Sequence, residues 1–361
     1  MVGLGRSGHV HGCFLGCWAP SAVTWKLMGT ESLRRVLLAT SAGAAILLSA
    51  GLGLCVASPG MPANSGAQAP AQCGRLAVRG IDVVCSDGGK FHWRGVTAFA
   101  LLEQTAHGRG ADADAYMRWA RATGFNLVRV LAMADVLFKL SPDDGRRHLP
   151  AFLDRANELG LYVEIVALAD TARYGMTATG LREQVAAIGR IAAGHPNAVV
   201  QIANEHYHPT QSRELHDPAA FVELARLIPP HVLFTASAAA DDTATEPQGA
   251  FITRHLSRGG SPARMIERVQ LLGRLAVEAG KPVVNGEPIG AAERDQPGRR
   301  LADPGFFRDL ARRTSAAGLA GGTFHCEDGL FARVPGPVQQ ACARAWVEGA
   351  SVSSLSAPRF P

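Results

Sequence analysis

The most constraining feature of the sequence is a regular alternation of short apolar runs with amphipathic helical patterns over residues 95–348. Apolar runs separated by helices are typical of βα units packed around a parallel sheet. The eight runs are Gly95–Leu101, Asn126–Met133, Leu161–Leu168, Val199–Ile202, Val232–Ser237, Phe251–Leu256, Pro282–Asn285 and Gly318–His325. Eight such units in about 280 residues match the size of a (β/α)₈ TIM barrel, which is the predicted α/β fold.

Helical patterns fill most of the intervals between these runs. The predicted helices are Asp112–Thr123, Pro150–Leu159, Leu181–Ala193, Ala219–Leu227, Arg264–Ala279, Pro304–Ala317 and Gln339–Glu348. A polar loop with no clear helix joins the fifth run to the sixth. Ahead of the first run, Leu76–Val84 and Phe91–Trp93 flank the turn signal Asp87-Gly88-Gly89. This arrangement predicts an amino-terminal β-hairpin.

The amino-terminal segment has the pattern of an export signal or a membrane anchor. Val36–Ala57 contains no charged residue, follows the basic pair Arg34-Arg35 and is long enough to span a bilayer. Residues 58–72 are rich in Pro, Gly, Ala and Ser, which is typical of a flexible linker. The predicted organisation is a leader at 1–57, a linker at 58–72, the barrel at 73–351 and a tail at 352–361. We therefore expect an exported protein, either secreted or tethered at the outer face of the cytoplasmic membrane.

Charge and composition argue against a nucleic-acid partner. The formal net charge is +5, but residues before position 60 contribute +3 of it. The body of the chain has no run of Lys and Arg with interleaved aromatic residues, which nucleic-acid binding would favour. Hydrophobic residues make up 47% of the chain and charged residues 19%, as in an ordinary globular domain with a large core.

The cysteines agree with export. Beyond the leader, four of the seven remain, namely Cys73, Cys85, Cys326 and Cys342. In an oxidising compartment we expect the pairs Cys73–Cys85 and Cys326–Cys342, each of which closes a short loop. The alternative is that all four are free buried thiols.

Two segments of the same form end in a glutamate. Residues 198–209, AVVQIANEHYHP, pass from an apolar stretch into a polar cluster that contains Glu205. Residues 281–288, KPVVNGEP, are again apolar, then acidic at Glu287, then broken by proline. A carboxylate at the carboxyl end of a buried strand is where an α/β barrel places its chemistry. Two such carboxylates, on the fourth and seventh strands, predict the acid pair of a glycoside hydrolase.

Four short motifs follow one another along the chain: Arg94-Gly95-Val96, Asn126-Leu127-Val128-Arg129, Ala203-Asn204-Glu205 and Gly286-Glu287. Their order resembles that in the cellulase-like glycoside hydrolases of clan A, family-five type. The resemblance implies a hairpin that closes the barrel floor, with Glu205 as general acid/base and Glu287 as nucleophile of a retaining double displacement. It also implies that Asn204 binds the sugar 2-hydroxyl and that Arg129 lies beneath Glu287 and keeps it ionised.

The sequence departs from that family at two strand ends. The family has His-x-Tyr after strand six, whereas here His255 is followed by Leu256 and Ser257. Support for the nucleophile is then missing or comes from another residue such as Tyr207. Strand eight ends in His325 where the family has a tryptophan. We count His255, His325, Tyr207 and Asp135, at the end of strand two, as further candidates for substrate binding.

The predicted partner is an oligosaccharide or polysaccharide, and neither a cofactor nor a metal is expected. Aromatic residues make up only 6% of the chain, which favours a short or unusual glycan over crystalline cellulose. Three alternatives stay open: a non-catalytic glycan-binding barrel, a structural envelope protein, and a metal-dependent hydrolase. The last would use the histidines at positions 206, 208, 255 and 325 as ligands. The sugar, its linkage and the oligomeric state are left open.

Overall fold

The computed structural model describes residues 73–135, 138–238, 243–256 and 261–352. The predicted leader and linker, and nearly all of the predicted tail, lie outside the described residues, so those assignments stay predictions. Among the described helices, none is long and apolar enough to cross a membrane.

An eight-stranded parallel sheet forms a nearly closed barrel. The strands in chain order are β1 (Ala77–Arg79), β2 (Asp82–Val84), β3 (Trp93–Thr97), β4 (Leu127–Leu131), β5 (Tyr162–Leu168), β6 (Ala198–Ala203), β7 (Phe234–Thr235), β8 (Ile252–Arg254), β9 (Val283–Asn285), β10 (Gly290–Ala291), β11 (Arg300–Leu301) and β12 (Gly321–Phe324). The order in the barrel is β7-β6-β5-β4-β3-β12-β9-β8. Across the seam between β7 and β8, Ala250 N donates to Phe234 O and His255 N donates to Ala238 O, each at 2.9 Å.

Helices surround the barrel and return the chain from most barrel strands to the next. The described helices are α1 (Leu101–Ala106), α2 (Gly110–Thr123), α3 (Pro142–Glu158), α4 (Ala178–Gly194), α5 (Pro218–Ala225), α6 (Pro262–Ala279), α7 (Pro304–Ala316), α8 (Glu327–Leu330) and α9 (Pro337–Val352). Several begin at a side-chain cap followed by proline, as at Ser141, Asp217, Ser261 and Asp303. As predicted, the described part of the β7–β8 connection contains only the short 3₁₀ turn Glu246–Gln248.

The hairpin β1–β2 closes the amino-terminal end of the barrel, which we call the floor. Leu76, Val83 and Phe91 from the hairpin region form one apolar cluster with residues at the starts of the barrel strands. Those residues are Trp93, Leu127, Tyr162, Val199, Leu233, Phe251, Val284 and Ala320. A larger cluster lies between the barrel and its helices. The predicted barrel and its floor-closing hairpin are both confirmed.

Several predicted boundaries were wrong. The hairpin turns at Gly80, which has a left-handed φ of 59°, and not at the Asp87 signal. That signal forms a second turn, after which Lys90 pairs with Val84. The first barrel strand was predicted to extend to Leu101, but it ends at Thr97, and Leu101 is the first residue of α1. Helix α3 begins at Pro142 and contains Pro150, the predicted start, in its interior.

One of the two predicted disulfides is present. Cys73 and Cys85 are bonded and tie the start of the domain to the end of β2. The predicted Cys326–Cys342 bond was wrong, because both residues are free thiols buried in the core. Closing a short loop in sequence does not secure the side-chain geometry that a disulfide requires. Burial raises the pKa of each thiol to about 12, so both are neutral at physiological pH.

Candidate active site

Both predicted glutamates lie at the carboxyl-terminal end of the barrel, which we call the mouth. Glu205 follows β6 directly after Asn204, and its φ of 39° is left-handed. A non-glycine residue held in this region is strained, and such strain concentrates at functional sites. Glu287 follows β9 after Gly286, where a Cβ would lie 2.3 Å from Thr253 Cγ2. Glycine at this position lets the chain pass close to β8.

His255, directly after β8, joins the two glutamates. Its Nδ1 lies 2.9 Å from Glu205 Oε1 and 3.0 Å from Glu287 Oε2. The nearest ligand atoms of the three side chains all lie within 4.8 Å of one another. Because a neutral ring carries one N–H, Nδ1 can donate to only one carboxylate at a time. This geometry brings Glu205 and Glu287 together around one imidazole ring.

Glu287 is buried and has basic groups on several sides. Arg129 Nη1 lies 4.0 Å from Oε2, and His325 Nδ1 lies 3.4 Å from Oε1. His325 Nδ1 is also 3.2 Å from Thr97 Oγ1. These neighbours favour the ionised form of a buried carboxyl group. The environment therefore suits a carboxylate that stays negatively charged.

Arg129 is fully buried in β4 and organises the base of the site. Its Nε and Nη2 donate to Gln201 Oε1 at 3.1 and 3.0 Å, and Nη2 donates to Asn204 Oδ1 at 2.7 Å. The guanidinium also lies 5.0 Å from the centre of the Phe99 ring. With its oxygen held by Arg129, Asn204 directs its amide nitrogen away from the guanidinium. That nitrogen has no hydrogen-bond partner among the described residues and can donate to a ligand.

A third carboxyl group lies deeper in the barrel. Glu164 on β5 is fully buried, and its Oε2 lies 3.7 Å from Arg129 Nε. Burial raises the pKa of Glu164 to about 7; Arg129 lowers it and Glu287 raises it further. Glu164 thus shares one cation, Arg129, with Glu287.

Glu205 is more open than Glu287, with a side chain that is 37% exposed. Burial raises the pKa of Glu205, but the hydrogen bond and charge of His255 outweigh that effect, so the pKa falls below its ordinary value. The negative charge of Glu287 acts in the opposite direction and raises it. The protonation of Glu205 therefore depends on whether His255 donates its hydrogen bond to Glu205 or to Glu287.

Two other predicted residues lie apart from the glutamates. The Tyr207 ring, 52% exposed, packs 3.9 Å from His206 and 5.8 Å from His216, measured between ring centres. Tyr207 therefore does not replace the missing tyrosine, and His255 contacts Glu287 instead. Asp135 forms an ion pair with Arg173 at 2.7 Å on the rim of the mouth.

The four candidate metal-ligating histidines do not converge. His206 is buried with Nδ1 2.8 Å from Ser237 Oγ, and His208 is exposed with Nδ1 2.9 Å from Thr210 Oγ1. Within the described part of the chain, the one group able to hold a metal ion is Glu205, His255 and Glu287. It contains one of the four histidines, so the described residues do not form the four-histidine site that was left open as an alternative.

Sequence reasoning missed two supporting residues. Gln201 is a buried polar side chain that holds Arg129, and Thr97 contacts His325. A signal for Gln201 existed, since it is the only polar residue in the run AVVQIA of β6. A polar group inside a buried strand requires a partner, and here that partner is Arg129.

Neither the family models nor the curated proteins compared with this sequence give a match. Comparison with solved structures does give matches. A glycoside hydrolase family 5 protein from Bacteroides vulgatus matches with a TM-score of 0.55 and 17% identity, over 73% of this chain and 64% of that one. A β-glucanase from Saccharophagus degradans in complex with cellotetraose matches with a TM-score of 0.59 and 14% identity, over 76% and 93%. The GH5_18 protein from Streptomyces cattleya in complex with GlcNAc gives 0.51 and 17%, over 71% and 79%.

The barrel fold is therefore shared with glycoside hydrolases at low sequence identity. The chain spans less than two thirds of the length of the first of these structures, at 64%. At such identities the likeness establishes the α/β barrel.

Proposed function

We propose that the protein is a glycoside hydrolase that cleaves O-glycosidic bonds of an extracellular or envelope glycan with retention of configuration. The observation that carries the proposal is the spacing of Glu205 and Glu287, whose nearest oxygens lie within 4.8 Å. Retaining enzymes hold their carboxyl groups about 5–5.5 Å apart, whereas inverting enzymes leave about 6.5–9.5 Å for a water molecule. The fold neighbours, which include a β-glucanase in complex with cellotetraose, support the same reaction class.

In the first step, Glu287 attacks the anomeric carbon of the substrate. A new bond forms between its carboxylate oxygen and that carbon, while the bond from the carbon to the leaving oxygen breaks. Glu205 donates its proton to the leaving oxygen, and the product is a glycosyl ester on Glu287. Asn204 is placed to hydrogen-bond the sugar through its free amide nitrogen.

In the second step, water replaces the enzyme on the sugar. Glu205, now a carboxylate, takes a proton from water as the water oxygen attacks the anomeric carbon. The ester bond breaks and returns Glu287 as a carboxylate near Arg129, 4.0 Å away. Two inversions at one carbon restore the original configuration.

His255 links the protonation of the two glutamates. When its Nδ1 hydrogen is donated to Glu287, Glu205 loses the contact that lowers its pKa. The negative charge of Glu287 and the burial of Glu205 by a bound sugar both then favour the protonated acid. In this way one imidazole stabilises the nucleophile and prepares the proton donor.

Replacement of the glutamates tests the proposal. The full chain is assayed on a panel of aryl glycosides that includes a glucoside and an N-acetylglucosaminide. Glu287→Gln is expected to lower kcat by about 10⁴-fold or more without unfolding the protein. Azide is expected to rescue Glu205→Ala and give a glycosyl azide of retained configuration.

The matched control is Glu183→Gln, at an exposed position on α4, which is expected to keep full activity. Undiminished turnover by Glu287→Gln would remove that residue from the mechanism. An inverted product would show that water, not Glu287, attacks the substrate.

A metal-dependent hydrolase is the second candidate, because Glu205, His255 and Glu287 can together ligate an ion. Carboxylate and imidazole ligands suit zinc or manganese. Loss of activity on chelation, with recovery on adding either metal, would favour this candidate over the retaining glycosidase.

A further inference from the structure

A cavity of about 620 Å³ is lined by residues other than the two glutamates. We call it the rim pocket. Its lining residues follow three neighbouring strands, β4, β3 and β12: Phe138 and Lys139 after β4, residues 100–115 after β3, and residues 331–334 after β12. These segments, which include parts of α1 and α2, follow the carboxyl ends of their strands, as Glu205 and Glu287 do. The volume lies within the range of about 300–1,000 Å³ typical of ligand pockets.

An exposed aromatic ring forms one wall of the rim pocket. Phe331 is 40% exposed, and apart from Tyr207 it is the only described aromatic residue among the exposed large hydrophobic side chains. Its ring meets that of Phe138 edge-on at 5.9 Å, and the Arg333 guanidinium lies 5.0 Å from its centre. A flat apolar face with polar groups around it is a surface on which a sugar ring can stack.

The backbone that carries Phe331 is held in place. Gln104 Nε2 donates to the carbonyls of Phe331 and Ala332 at 2.9 and 3.3 Å. Ala332 has a left-handed φ of 48°, a strained conformation for a residue with a Cβ. A wall fixed before binding loses little conformational entropy when a ligand arrives.

Of the cationic side chains around the rim pocket, that of Lys139 is available to a ligand. Glu103 is already paired with both Arg109 and His107, and Arg333 Nη2 lies 3.2 Å from Asp328. Lys139 is exposed and forms no ion pair among the described residues. An ammonium group and an aromatic ring that line the same cavity favour a ligand that has both a ring and a negative charge.

We propose that the rim pocket binds an acidic sugar, a hexuronic acid unit, whose ring stacks on Phe331 and whose carboxylate pairs with Lys139. The proposal rests on the proposed function in that it makes this unit part of the same glycan that is cut between Glu205 and Glu287. It names a substrate class, a glycan with a uronic acid near the cleaved bond.

Ligand-observed NMR on the full chain tests the rim pocket without requiring turnover. The two ligands are methyl β-glucuronide and methyl β-glucoside, which differ in the carboxylate. The glucuronide is expected to bind about tenfold more tightly, and Lys139→Ala is expected to remove that preference. Phe331→Ala is expected to weaken binding of the glucuronide about fivefold.

Two further variants sharpen the test. Asp112 also lines the rim pocket, so Asp112→Asn is expected to strengthen glucuronide binding about twofold by removing a like charge. Lys90→Ala is the matched control, because Lys90 pairs with Asp82 at the floor and is expected to have no effect.

Equal binding of the two ligands, or a preference that survives Lys139→Ala, would overturn the proposal. The outcomes also separate the rim pocket from the catalytic assignment. Turnover of aryl glycosides without glucuronide preference would refute the rim pocket alone. Lys139-dependent glucuronide binding in a protein that hydrolyses no glycoside would refute the proposed function alone.

Discussion

The two ends of the barrel differ in the kind of side chain that they bury. At the floor, the hairpin and the first residues of the strands form an apolar cluster that a disulfide helps to fix. At the mouth, the buried side chains are Arg129, His255, Glu287 and His325. Burial of apolar groups stabilises a fold, whereas burial of charges is costly even when they are paired. Apolar burial is therefore concentrated at the floor and the candidate catalytic residues at the mouth.

The separation lets each end be changed with little effect on the other. Floor residues such as Trp93 contact neither glutamate, and the mouth residues contribute little apolar burial. The variants below test this separation, beginning with the largest expected change in the free energy of unfolding.

Trp93→Ala should damage the floor most. Trp93 is 1% exposed, packs 5.5 Å from the Phe251 ring, and donates from Nε1 to Thr323 Oγ1 at 3.2 Å. Its loss is expected to lower the free energy of unfolding by about 3–5 kcal/mol, measured by urea denaturation. Activity per folded molecule is expected to be unchanged, and Trp93→Phe should restore most of the stability. A folded Trp93→Ala protein with reduced kcat would show that the two ends are coupled.

Glu164→Gln should stabilise the fold in a pH-dependent way. The pKa of Glu164 is raised to about 7 in the fold, so the folded state binds the proton more tightly than the unfolded chain does. The wild type therefore loses stability as the pH rises from about 4.5 to about 7, and the loss persists above that range. Glutamine cannot ionise, so the variant is expected to be more stable by about 3 kcal/mol at pH 8, with little difference near pH 4.5.

Urea denaturation at the two pH values measures this difference, with Glu183→Gln as the exposed control. A Glu164→Gln protein that is less stable than the wild type at pH 8 would mean that Arg129 stabilises the Glu164 charge by more than burial opposes it.

Removal of the floor disulfide should have the smallest effect. The double variant Cys73→Ser/Cys85→Ser is expected to lose about 2 kcal/mol of stability, because the bond closes only a short loop. Reductant should lower the wild type to the same value and leave the variant unchanged, as Cys326 and Cys342 are free. A variant that reductant still destabilises would indicate a second bond between those thiols.

Local pattern was enough to predict the barrel and the places of both glutamates. Each glutamate directly follows a buried strand, and strand and helix periods differ clearly over eight repeats. The start of α1 was missed because the apolar run continues from β3 through Leu101, and an apolar run by itself does not distinguish strand from helix. The start of α3 was readable, since Ser141 followed by Pro142 is a helix-start signal.

Most contacts within the site could not be predicted from the sequence. Arg129 meets Gln201, Asn204 and Glu164 only because parallel strands bring β4, β5 and β6 side by side. The position of His255 between the two glutamates depends on distances across the mouth. The absence of a Cys326–Cys342 bond depends on how α9 packs in the fold. Such relations arise from tertiary packing, which a single sequence does not record.

The left-handed backbone at Glu205 has a consequence for variants at that position. A residue with a Cβ pays about 1–2 kcal/mol to occupy this region, and glycine does not. Glycine at position 205 would therefore relax the chain, and its removal of a partly exposed side chain would leave no sealed void. A Glu205→Gly variant, which lacks the acid, would thus also be among the more heat-resistant variants. A screen that selects for heat resistance alone will tend to replace Glu205.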